Sequence, residues 1–115
     1  MGCAVSDDRI NEQVLVVYCT APDQIVATEI ANQLITARHA ACVNILPGVQ
    51  SIYHWDGQIC SEKEVMLMIK TTRTRYAELE VALIEMHPYD LPELIAFSVE
   101  AGSQEYLNWV ESSIK

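Results

Sequence analysis

The chain is poor in basic residues, in glycine and proline, and in long apolar runs, and each shortage excludes something. Seven Lys and Arg stand against sixteen Asp and Glu, a formal charge of −9. That balance argues against nucleic acid or an anionic membrane surface as partner. No apolar stretch approaches the eighteen residues that a membrane-spanning helix needs. The four cysteines, Cys3, Cys19, Cys42 and Cys60, include no CxxC and no paired spacing. With no signal-peptide pattern at the start, reduced thiols in a cytoplasmic protein are expected. No linker, repeat or low-complexity segment interrupts the 115 residues. One domain over 13–115 follows, large enough to bury about two-thirds of its unfolded surface.

Residues 1–12 are polar and aperiodic, and a flexible tail is expected there. The opening Met1-Gly2-Cys3-Ala4-Val5-Ser6 fits a short lipidation pattern. Asp7 and Asp8 follow where a second, basic membrane signal would help, so the plain tail is the stronger expectation.

The richest signal is a long hairpin. Asp56-Gly57 sits between two apolar-patterned arms, Ala40 to Trp55 and Gln58 to Thr72. A two-residue Asp-Gly loop favours a type I′ turn, which needs positive φ at both central positions. Each arm of about fifteen residues approaches 50 Å at roughly 3.3 Å per residue, whereas a globule of this size spans about 35 Å. The hairpin therefore overshoots its own domain while carrying Ile52, Tyr53, Trp55 and Ile59 towards its tip. A second copy of the chain is the simplest cover for those side chains, with Tyr53 and Trp55 as interface anchors. Pro47-Gly48 marks a bulge or bend in the first arm.

The remaining elements follow from periodicity. Val14 to Cys19 is a continuous apolar run that ends before Pro22 and reads as a central strand. Asp23 caps a helix with Ala27, Ile30, Ala31 and Leu34 on one stripe. Val65 to Ile69 is apolar at every position, which predicts cover on both faces. Thr72 or Thr74 opens a second helix with Tyr76, Leu79, Leu83 and Met86 on one side, ended by Pro88 and Pro92. Leu94 to Val99 is a fourth strand, and Ser103 caps a last helix with Tyr106, Leu107, Val110 and Ile114. The order β-α-β-β-α-β plus a C-terminal helix is an α+β, ferredoxin-like split βαβ plan. It predicts sheet order 4-1-3-2, antiparallel throughout, with the first two helices on one face.

That plan brings distant residues together. The first strand ends at Cys19, the second helix ends at His87, and the fourth strand starts beside Glu93. Cys19, His87, Tyr89 and Glu93 therefore converge at one sheet edge. A thiolate, an imidazole and a carboxylate suit copper or zinc. The plainer alternatives are a core cysteine and a helix-closing histidine. An enzymatic Cys–His pair would need a lowered thiol pKa and an oxyanion site, and the sequence announces neither, so no catalysis is expected. His39 and His54 read as packed or solvated histidines. Lys70 lies at the far end of the third strand and could reach this edge only from a neighbouring chain.

Five segments in order, Val17-Tyr18-Cys19-Thr20-Ala21-Pro22, Ala41 to Gly48, Ser51 to Ile59, Lys70-Thr71-Thr72 and His87-Pro88-Tyr89-Asp90-Leu91-Pro92-Glu93, resemble the CutA divalent-cation tolerance family over roughly residues 13 to 112. The resemblance implies a ferredoxin-like subunit in a PII-like homotrimer, located in the cytoplasm of bacteria. It implies copper binding at Cys19 and His87, with a role in tolerance of divalent ions. Met86 stands where some members carry a second histidine; a thioether can ligate Cu(I), yet Met86 also fits the apolar stripe of its helix. Tyr89 and Glu93 are further candidate metal or cleft residues. A PII-like sensor of small ligands in clefts between subunits is the alternative reading.

Overall fold

A computed structural model describes residues 13–115; the expectations placed on residues 1–12 lie outside it. The elements are β1 (Val14–Ala21), α1 (Gln24–Thr36), β2 (Cys42–Trp55), β3 (Gln58–Thr72), α2 (Arg73–Met86), β4 (Ile95–Ser98) and α3 (Gln104–Ile114). They form a four-stranded sheet in the order β2-β3-β1-β4, which is the expected order read from the other edge. All three pairings are antiparallel, with Cys19 opposite Leu67 and Tyr18 opposite both Met68 and Ile95.

Local chemistry sets the element ends. The Asp23 side chain accepts the Val26 N–H and caps α1, satisfying one of the donors that a helix start leaves open. Arg38, at φ 61°, turns the chain out of α1 in the left-handed region. Its guanidinium then donates to the carbonyls of Ser113 and Lys115, and Arg75 donates to that of Ile114. Two arginines from elsewhere thus close the C-terminus of α3. Thr72 precedes α2 without a side-chain capping bond; its hydroxyl meets that of Thr74 instead.

The hairpin has its expected form. Asp56 and Gly57 have φ of 55° and 78°, positive at both central positions of the turn. The register slips between Leu46 and Val49, where Pro47 cannot donate and Gly48 takes φ 84°. The hairpin draws the molecule out to 55 × 25 × 22 Å.

One face of the sheet is closed by α1 and α2. Val17, Cys19, Leu67 and Ile69 pack there against Ile30, Leu34, Leu79 and Leu83, all essentially inaccessible. Each large aliphatic side chain so buried contributes about 1.5–3 kcal/mol. On the other face α3 covers only one end, where Val110 and Ile114 meet Val14. Here the structure departs from expectation. In the run Val65–Ile69 the odd residues are buried, whereas Met66 and Met68 are only half-buried. Among the described residues, cover on both faces is therefore not supplied within one chain. Tyr18, Phe97 and Ile95 share that open face, with Tyr18 and Phe97 in edge-to-face contact at 5.1 Å.

Candidate functional site

Alternation along the strands decides which side chains can meet. Cys19 points to the helix-covered core, so its neighbour Thr20 points to the open face. On the hairpin, Ser51, Tyr53 and Trp55 of β2 share one face with Cys60, Glu62 and Glu64 of β3 by the same rule. The segment joining α2 to β4 lies across the end of β1 and brings Tyr89, Asp90 and Glu93 to the same place. Together these residues line a groove of about 690 Å³.

Glu64 lies at its centre. It is 8% exposed; its Oε1 accepts the Ser51 hydroxyl at 2.5 Å and its Oε2 the Tyr89 hydroxyl at 2.8 Å. Tyr53 donates to Glu62 at 3.0 Å. Burial, reinforced by the bond to Glu64 and by the charges of Glu64 and Glu62, pushes the Tyr89 phenol well above its ordinary value of 10. Among the described residues no basic side chain lines the groove and no base pairs with Glu64.

Beneath it, Cys19 and His87 meet at one atom. The His87 N–H closes α2 on Leu83 at 3.0 Å, and the ring turns back to β1. Its Nδ1 accepts the Tyr89 N–H at 3.1 Å. Nε2 must therefore carry the ring proton of the neutral form and donate it to the Thr20 carbonyl at 2.7 Å. The Cys19 thiol donates to that same oxygen at 3.6 Å. These two lengths bound the Sγ–Nε2 separation at 6.3 Å. Burial first, then the charges of Glu93 and Glu64, pushes the Cys19 thiol from 9.0 up to about 12. That is the reverse of what a nucleophile or a preformed thiolate ligand requires.

The expected convergence at the sheet edge is thus present, arranged differently in detail. His87 is buried, with both ring nitrogens in hydrogen bonds. Tyr89 and Glu93 line the groove, while Met86 packs against the core below it. Tyr53 and Trp55 form its outer wall on the hairpin. Among the described residues no three His, Cys, Asp or Glu side chains converge to hold a metal ion. His54 lies on the exposed tip, and the His39 Nδ1 is buried without a hydrogen bond, 4.0 Å from Glu78. The sequence reading missed Glu62, Glu64 and Ser51. Two acids two residues apart, directly before the apolar run of the same strand, were the available signal that one strand face carries paired carboxylates.

Comparison with known proteins agrees with this architecture. The family model described as CutA1 divalent ion tolerance protein matches residues 15–113. A divalent-cation tolerance protein CutA from Pectobacterium atrosepticum is 40% identical over 108 residues, covering 94% of this chain and 98% of the relative. Its counterpart from Thermus thermophilus is 41% identical over 98 residues, 85% and 95% of the two chains. The crystal structure of CutA from Xylella fastidiosa superposes with a TM-score of 0.88 at 40% identity, over 90% of this chain and 99% of that one. By fold, by sequence and over almost its whole described length, the chain belongs to the CutA1 divalent ion tolerance protein family.

Proposed function

We propose that the chain serves divalent-cation tolerance as a non-enzymatic, cytoplasmic homotrimer that binds copper-like ions weakly through Cys19 and His87. The observation that carries this reading is the convergence of the thiol and the imidazole on one carbonyl oxygen, Thr20 O. Sulfur and nitrogen donors suit copper and zinc. Both donors are protonated towards that oxygen, so an ion entering between them must displace protons. Occupancy then falls as pH falls, and the ion competes with two existing hydrogen bonds. With only two such donors converging, the affinity is modest. The carboxylates Glu62, Glu64, Asp90 and Glu93 attract cations to the groove above.

Copper titration of the purified protein tests this. Cys19→Ser should remove most copper binding with the fold intact, and Met86→His should strengthen Cu(II), which imidazole suits better than a thioether. Cys19→Ser binding copper as the parent does would place the ion elsewhere.

A second reading, a sensor of small ligands built on a PII-like trimer, is favoured by one further observation. The groove is far larger than a metal ion needs, and a neighbour lying against the hairpin would turn it into a cleft between subunits.

A further inference from the structure

We infer that the groove binds a small organic cation, an ammonium or guanidinium group on a short apolar body, with Glu64 as its counter-charge. This rests on the second reading above, that the groove is a ligand site, and names the chemistry that it takes.

The first support is an uncompensated charge. Glu64 is more than nine-tenths buried, yet among the described residues only neutral hydroxyls, those of Ser51 and Tyr89, meet its oxygens. A buried carboxylate is tolerated when a cation or several donors offset its lost hydration. Each carboxylate oxygen can accept two hydrogen bonds, and each here accepts one. Two acceptor positions therefore remain for N–H donors, the number that a guanidinium or ammonium group readily supplies. Glu62, Asp90 and Glu93 add negative charge to the lining, and among the described residues no base offsets it. An anion, a nucleotide phosphate included, would meet four carboxylates.

The second support is the wall. Tyr53, Trp55 and Tyr89 line the same space, and aromatic faces attract organic cations while covering their apolar parts. The third is size. About 690 Å³ lies within the range of small-molecule sites. No three metal-binding side chains converge among the described residues, which favours an extended cation over a bare divalent ion at this point.

Isothermal titration of the full-length protein with n-butylammonium and n-butylguanidinium, against butyrate and butanol at matched ionic strength, tests the inference. The two cations should bind and the two controls should not. Glu64→Gln keeps the shape and should weaken cation binding at least about tenfold, with circular dichroism checking the fold. Glu93→Gln, on the exposed lining, should weaken it by about threefold even if the Glu64 variant fails to fold. Cys19→Ser should leave it unchanged, so loss of the copper reading leaves this one standing. No heat from either cation at millimolar concentration, or equal binding by Glu64→Gln, overturns the inference. Cation binding that emerges only in Lys70→Gln also overturns it, since the counter-charge would then be a lysine of a second copy. Binding of butyrate or butanol alone would keep the groove as a ligand site and reject its charge preference; binding of no probe rejects both.

Discussion

The two faces of β3 differ more than their residues do. Val65, Leu67 and Ile69 are buried against α1 and α2, whereas Met66 and Met68, just as apolar, remain half-open on the opposite face. Further along the same strand that open face carries Glu62 and Glu64 and becomes the groove. A strand apolar on every residue reports that both faces need cover, but not who supplies it. Here one cover is intramolecular, and the open apolar face together with the overshooting hairpin is what the proposed trimer would cover.

Substitution on each face separates the two kinds of cover. Leu67→Ala leaves a cavity in the helix-covered core and should cost about 2–5 kcal/mol, read as a lower midpoint in chemical denaturation at any protein concentration. Met68→Ala on the open face should cost less than half of that in a monomer. In a trimer its effect should grow and depend on protein concentration. Equal, concentration-independent losses at both positions would break the distinction.

The hairpin tip sharpens it further. Trp55 is 56% exposed in one chain, so Trp55→Asp in an isolated subunit should shift stability by no more than about 0.5 kcal/mol. At a subunit contact it places an unpaired charge and should dissociate the assembly. Three copies at −9 each carry −27 formal charges, so association must be driven by apolar burial, worth roughly 25 cal/mol per Å² before the entropy of association is subtracted. Light scattering decides: the parent should weigh three times 12.9 kDa and the variant should fall towards one. A parent mass of one subunit sinks the trimer.

The smallest expected effect belongs to Cys19, on the covered side. Its folded thiol is pushed up to about 12 from 9.0, so it stays protonated where the unfolded chain ionises. The unfolded state then binds fewer protons, and stability must fall as pH rises through 9 towards 12. Between pH 9 and 10 the loss from this group is about 1 kcal/mol, and Cys19→Ala should remove that part of the slope. The same burial should make Cys19 the slowest of Cys19, Cys42 and Cys60 to react with iodoacetamide. Cys19 reacting first would show that its burial is transient.

Much of this molecule was legible in its residues because the signals are local. The Asp56-Gly57 turn, the Pro47-Gly48 irregularity, the Asp23 cap and the stripes of α1 and α2 each follow from backbone conformation or from a period of two or 3.6. With element order they dictate the sheet, and the sheet brings Cys19, His87, Tyr89 and Glu93 to one edge. Side-chain direction at that edge was not legible to the same degree. Whether His87 offers a lone pair or spends both nitrogens on Thr20 and Tyr89 depends on where a loop lies over β1, a matter of ångströms that no spacing encodes. Glu64 is the clearest case: its position in the strand assigns it to a face, but only the tertiary structure, by laying Tyr89 across that face, made a surface carboxylate into a buried charge.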